Sequence, residues 1–228
     1  MSRFAMVKKL QRRPRRDESL SREQIITAAI ELLDSGGESG LTFRNLSGYL
    51  ATGPGALYGH VENKRDLIEA ACSAVIDPCV DLPSTDMLPT AAIRHVALAM
   101  FDAMDAHPWV GSALAWAAGQ STMVSVLERI GQQVQALGVA PDRHWVTVSV
   151  LLNYILGVGR QNASNAQQAQ RRRKAERAEV LGEVANAWLQ LDPDRYPFTR
   201  SIAAQMSVHD DRADFLAGID LILAGIGR

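Results

Sequence analysis

An all-α fold is predicted by three features of the 228-residue sequence. Apolar residues recur at intervals of three and four along most of the chain, the spacing that places them on one helix face. Val, Ile and Thr are scattered rather than alternating with polar residues, and no Asn-Gly or Asp-Gly hairpin signal occurs. Proline and glycine fall between the apolar stripes, where helices must stop. The expected architecture is an N-terminal three-helix helix-turn-helix domain followed by a larger helical C-terminal domain.

The elements follow in order. Ser21 can cap a helix, with Gln24 three residues later completing a capping box. Ile25, Ile26, Ala29, Ile30, Leu32 and Leu33 give its stripe, and Gly36-Gly37 end it. A short helix from Thr42 to about Leu50 carries Phe43, Leu46 and Leu50. Ala51-Thr52-Gly53 is a tight connection, and Pro54 suits the first position of a further short helix running to His60. Asn63 caps the next helix, with Asp66 in its first turn, through Leu67, Ile68 and Ala71 to about Ile76. Pro78, Pro83 and Pro89 make residues 77–89 a linker in which a continuous helix is not expected. The domains are thus a basic arm over 1–19, a head over 20–76, the linker, and a body over 90–228.

In the body, Ile93, Val96, Met100, Phe101 and Met104 form a stripe broken at His107-Pro108. Met123, Val126, Leu127, Ile130, Val134 and Leu137 keep helical spacing up to Gly138. Trp145 to Val158 is apolar nearly all round and is expected to be buried on several sides. Val180, Leu181, Val184 and Trp188 make a weaker stripe, Asp192 to Thr199 reads as a loop, and Phe215 to Ile226 is a last amphipathic helix. More apolar surface on the Trp145 and Phe215 segments than one small domain covers points to a four-helix interface in a two-fold homodimer. The alternative is that both are internal core helices.

Charge is distributed unevenly. The net charge is −1, yet residues 1–16 hold seven of the 24 Lys and Arg residues and no acid. A basic arm therefore leads a mildly acidic body. The two cysteines, Cys72 and Cys79, exclude a disulfide scaffold. No long uncharged apolar run predicts a membrane span, and no apolar stretch follows the basic start as in a secretory signal, so the cytoplasm is expected. The five histidines are dispersed, and no metal, dinucleotide or nucleophile motif is present, so no cofactor and no enzyme activity is expected.

Two short helices joined by three or four residues and preceded by a longer one have helix-turn-helix geometry. The second offers small or hydrogen-bonding residues outward: Gly55, Ala56, Tyr58, Gly59 and His60. Small residues let a backbone approach a DNA groove, Tyr58 and His60 can reach phosphates, and Ala56 can meet a thymine methyl. Arg44 and Lys64 flank the helix as phosphate clamps. On spacing alone, two surface helices with ordinary polar faces remain the competing reading.

Residues Leu20 to Val75 resemble the DNA-binding domain of the tetracycline-repressor (TetR) family. The resemblance is carried by Ile25-Ile26-Thr27-Ala28-Ala29-Ile30-Glu31-Leu32-Leu33, by Gly40-Leu41-Thr42-Phe43-Arg44-Asn45-Leu46, and by Gly53-Pro54-Gly55-Ala56-Leu57-Tyr58-Gly59-His60-Val61-Glu62-Asn63-Lys64-Arg65-Asp66-Leu67. The C-terminal part is more loosely similar, at Asn153-Tyr154-Ile155-Leu156-Gly157 and at Phe215 to Ile226. The resemblance implies a homodimer on a near-palindromic double-stranded operator. It implies DNA contact by Arg44, Pro54, Ala56, Tyr58, His60 and Lys64, with Gly53 and Gly55 acting through backbone groups.

Three residues depart from the family's pattern. Ala51 stands where glycine is usual in the turn; if φ must be positive there, alanine costs about 1 kcal/mol. Gly53 replaces a common Ser or Thr cap, a loss of a few tenths of a kcal/mol. Gly59 removes a side chain from the reading helix. More weight then falls on the arm, where Arg12, Arg13, Arg15 and Arg16 either enter a minor groove or form a solvated tail adding general attraction.

Met100, Met104, Trp109, Trp116, Met123 and Trp145 lie on helical faces of the body. Such a stripe is more often plain core, but the resemblance implies an apolar effector cavity between these helices. His95, Gln120, Asn153 and Tyr154 would supply its few polar contacts. The stretch 106–122 contains no acid, which favours a neutral or anionic apolar effector. The expected function is a sequence-specific DNA-binding regulator, most simply a repressor released by that effector. A ligand-independent architectural DNA protein and an enzyme acting on an apolar substrate are the alternatives.

Overall fold

The computed structural model describes residues 20–84, 86–115, 121–171 and 176–226. They form twelve α-helices and one 3-10 turn, with no strand among the described residues. Trp116, Gln120 and the arm residues Arg12, Arg13, Arg15 and Arg16 lie outside them.

The head starts at α1 (Arg22–Gly40). Its capping box is formed: Gln24 N–H donates to Ser21 Oγ at 3.1 Å, and Ser21 N–H donates to Gln24 Oε1 at 3.0 Å. The helix breaks where two glycines predicted an end. Gly37 takes φ 60°, and a further short turn then runs on to Gly40. Helix α2 (Phe43–Tyr49) is capped by Thr42, whose Oγ accepts Asn45 N–H at 3.0 Å. Helix α3 (Pro54–Leu57) has four residues and stops short of the expected His60. The N–H groups of His60 and Val61 both return to the Leu57 carbonyl, closing a turn around Gly59.

Helix α4 (Lys64–Val80) is capped by Asn63, whose side chain accepts the N–H groups of Arg65 and Asp66. It runs through Pro78, past the expected stop at Ile76. An interior proline costs about 3 kcal/mol. Burying Ile76, Cys79 and Val80 offsets that cost. One face of α4 packs on α1, and another meets α5 and α7, so head and body share one apolar core.

Helix α5 (Pro89–Ala106) is the centre of the body, packed by α4, α7, α8 and α12. It buries Ile93, Val96, Ala97, Met100, Phe101 and Met104. Short α6 (Val110–Ala115) and α7 (Ser121–Ala136) follow, with Gly138 turning the chain at φ 76°. A 3-10 turn (Pro141–Arg143) leads into α8 (His144–Arg171), 28 residues long. Helix α9 (Glu176–Leu189) packs with α10 (Pro197–Ser201) and α11 (Ala203–Ser207). The expected loop over Asp192–Thr199 thus ends early, because Pro197 opens a helical turn. Helix α12 (Asp211–Ile226) begins one turn before Phe215, its first N–H groups served by Asp210 Oδ1, which accepts Ala213 N–H at 2.9 Å.

The start of α8 is less buried than its composition suggested. Val148, Leu151 and Ile155 face the core, but Trp145 is 72% exposed, and Val146, Val150, Asn153 and Gly157 continue an open stripe at helical spacing. On α12, Leu221 is 77% exposed. An apolar helix is buried only on the faces its own chain covers. Between the two helices, Tyr154 stacks on Phe215 at 5.5 Å and donates its hydroxyl to the Phe215 carbonyl at 3.2 Å. A β-carbon at Gly218 would overlap that hydroxyl, so glycine is what lets α8 and α12 meet here. Arg212 grips Asp102 with two bonds, at 2.8 and 3.0 Å, tying α12 to α5.

Candidate nucleic-acid interface

The outer face of the head is built by the α2–turn–α3 unit. Leu46, Leu57 and Val61 are buried beneath it and hold both helices on α1 and α4. This leaves Arg44, Gly53, Pro54, Gly55 and Ala56 exposed together. Tyr58 is 62% exposed, yet its ring lies flat on Phe43, with centroids 4.9 Å apart and planes within 7°. Stacking holds the phenol in one direction at the rim of the face. His60 is half-buried beside it. Lys64 is also half-buried, and its Nζ donates to the Glu38 carbonyl, so the tail of α1 already holds this cation.

The turn between α2 and α3 is strained. Ala51 has φ 49°, the one positive φ on a non-glycine residue among those described. The sequence marked this position through its departure from glycine. Gly53 caps α3 without a side-chain bond, as its identity requires. Open space surrounds the Cα positions of Gly53 and Gly55, so their value lies in how near another molecule can come. Phe43 and Tyr49 escaped sequence reasoning. Phe43 is the platform for Tyr58, fifteen positions away at the end of α3. Tyr49 is exposed, and its hydroxyl donates to Glu31 of α1, which pushes the phenol pKa up.

The residues proposed for an effector are distributed over several elements. Met100 and Met104 are fully buried on α5, and the Met104 side chain fills the space opposite Gly159 of α8. His95 and Met123 are half-buried on α5 and α7, and Tyr154 is half-buried against α12. Trp109 is 6% exposed, and its Nε1 donates to Asp34 of α1 at 2.7 Å. Trp145 and Asn153 stand on the open stripe of α8, away from Met100 and Met104. A cleft of about 360 Å³ lies between head and body, lined by Glu38, Lys64, Arg65, Ile68, Glu69, Cys72 and Ala113. Burial pushes the Cys72 thiol up to about 12 and raises that of Cys79, so both act as small apolar fillers. No group of three or more metal-ligating side chains occurs among the described residues. No helix among them is long and apolar enough to cross a membrane.

A short exposed helix on a three-helix head, joined by a shared core to an all-helical body, defines a helix-turn-helix regulator. The family model for the tetracyclin repressor-like C-terminal domain matches residues 89–228. The transcriptional regulator SCO7222, a TetR from Streptomyces coelicolor, is 46% identical in sequence. Its structure superposes with a TM-score of 0.82, over 91% of this chain and 98% of that one. The chain belongs to the TetR family. The Escherichia coli tetracycline repressor protein class D is 44% identical over 57 residues, 25% of this chain and only 26% of the repressor's own length. BioQ, solved with its double-stranded DNA operator, is 28% identical with a TM-score of 0.56, over 66% of this chain and 90% of that one.

Proposed function

We propose that the protein is a homodimeric repressor that reads a near-palindromic operator with two α3 helices and releases it on binding a small apolar effector. The observation that carries this reading is the exposed, side-chain-poor face of Gly53, Pro54, Gly55 and Ala56, with Tyr58 held at its rim by Phe43. A face without bulky side chains lets backbone N–H groups approach phosphates, and Ala56 can meet a thymine methyl. Tyr58, His60 and Arg44 reach the flanking phosphates. Lys64 joins them by exchanging the Glu38 carbonyl for a phosphate. Arg12, Arg13, Arg15 and Arg16 follow the adjacent minor groove.

Half-sites lie about 34 Å apart, one turn of duplex, and must be met by two linked heads. The open stripe of Trp145, Val146 and Val150 on α8, with Leu221 on α12, is the face on which a second copy is proposed to pack. Inside each body, Met100, Met104, Met123, His95 and Tyr154, with Trp109, Trp116 and Gln120, surround the effector. Trp145 and Asn153 reach it from the dimer side. The effector is neutral or anionic. The division into arm (1–19), head (20–76), linker (77–89) and body (90–228) is part of the same reading, with α4 of the head running on into the first four linker residues; so are cytoplasmic residence and binding without catalysis.

Selection of bound duplexes from a random pool by the full-length protein tests the proposal. A two-fold symmetric site is expected, lost or weakened in Tyr58→Ala and released by an effector found by thermal-shift screening. A protein that retains no duplex at low ionic strength refutes DNA binding. A monomer in solution refutes the paired reading heads.

A further inference from the structure

Asp34 lies three residues before the Gly37 break of α1 and collects two donors from the body. His107 Nδ1 is 2.9 Å from Oδ1 and 3.0 Å from Oδ2. Trp109 Nε1 donates to Oδ1 at 2.7 Å. Both donors belong to the corner between α5 and α6. His107 closes α5 through its N–H to the Ala103 carbonyl, and its own carbonyl accepts Val110 N–H at the start of α6. The two rings meet edge-on, with centroids 6.3 Å apart. Trp109 is nearly enclosed, and a buried indole N–H requires an acceptor. That acceptor comes from the head.

The head is therefore attached to the body twice, once through the continuous helix α4 and once through this carboxylate. A unit held at two separated points cannot swing about either without breaking the other. We infer that Asp34, His107 and Trp109 form a latch that positions the reading head against the body, so that operator affinity follows the state of the α5–α6 corner. None of the three touches DNA; they are positioning residues, and the inference rests on the DNA-binding reading above.

One member of the latch is an imidazole. Imidazole as a side-chain type gains charge between about pH 5 and pH 8, and a charged ring adds ion-pair attraction to the hydrogen bond that a neutral N–H already gives a carboxylate. Other charged groups surround the corner. Asp105 of α5 accepts Asn162 Nδ2 of α8 at 2.8 Å. The stem of Arg160 on α8 lies against Gly111 of α6. Across α4, Lys64, Arg65 and Glu69 line the cleft that reaches Ala113. Helix α6 itself carries no charge. Asp34 is the carboxylate in contact with His107.

The test uses full-length protein and an operator selected from a random pool. Operator affinity is measured between about pH 5 and pH 8 for wild type, His107→Gln, Asp34→Asn and the double variant. Wild type is expected to move at least about fivefold across this window, with most of that movement absent in either single variant. The double variant is expected to match the singles rather than add to them. Any contribution from His60 is common to all four proteins and cancels. Parallel profiles for wild type and His107→Gln overturn the latch, as does additivity of the two substitutions. If no duplex is selected, DNA binding fails instead. The latch is then judged without DNA, by a double-mutant cycle in melting temperature at about pH 6 and pH 8. Additivity at both values overturns it; coupling that weakens at the higher value supports it.

Discussion

Replacing Ala51 by glycine should make this protein more stable, although glycine usually weakens a chain. Ala51 holds φ at 49°, where its β-carbon crowds the following carbonyl, at a cost of about 1–2 kcal/mol. Glycine removes that crowding. It also loosens the unfolded chain, which returns about 0.4–1 kcal/mol. The net gain is about 0.5–1 kcal/mol, a rise in melting temperature of about 1–4 °C for a chain of this size. The backbone bonds of the turn do not involve the side chain: Ala51 N–H donates to Gly48 at 3.2 Å and Thr52 N–H to Ser47 at 2.9 Å. The assay is thermal and urea unfolding followed by circular dichroism, beside Ala187→Gly, an exposed position inside α9. That control should lose about 0.5–1 kcal/mol. If both substitutions destabilise alike, Ala51 is not strained and the account of the turn is wrong.

Other outcomes follow from the same structure. Gly218→Ala should cost about 1–3 kcal/mol by forcing Tyr154 from Phe215, and Tyr154→Phe in the same chain should recover part of it; equal stability of Gly218→Ala and wild type would contradict the packing. The Cys72 thiol, raised from 9.0 to about 12, is held neutral by the fold. Its contribution is complete below about pH 9 and is lost as pH rises toward 12, by up to about 1.4 kcal/mol per pH unit. Alkaline unfolding should therefore be flatter in Cys72→Ala, and identical curves would count against this burial. Deleting residues 1–16, with their seven Lys and Arg residues, should weaken operator binding and reduce the slope of log K against log salt by about 0.9 for each phosphate that the arm would have neutralised. An unchanged slope would leave the arm without a role.

Features legible in the sequence are those decided within a few residues. The Ser21–Gln24 box, the Asn63 cap and the turn at Gly138 each depend on neighbours one helical turn away. Ala51 was legible in another way, because a familiar motif showed which residue type the position usually holds. What sequence missed was set by distant partners. Asp34 and Trp109 are 75 residues apart, and nothing near Asp34 marks it as the acceptor for a buried indole. Phe43 appeared as one more apolar residue of α2, although its outer face carries Tyr58. Pro78 suggested a stop, but burial of Cys79 and Val80 outweighed the lost backbone bond. Periodicity identified the start of α8 as apolar without revealing which of its faces this chain leaves uncovered.

The course of α4 has a consequence for protein engineering. Since α4 runs on to Val80 and contributes Ile76, Cys79 and Val80 to the core, a chimera cut at residue 76 would sever a helix in its last turn. The severed edge would bare greasy side chains that normally meet α5 and α7. Swapping specificities between relatives should therefore succeed by exchanging α2 and α3 within an intact scaffold, and fail when the whole N-terminal unit is transplanted as though it were a free-standing part.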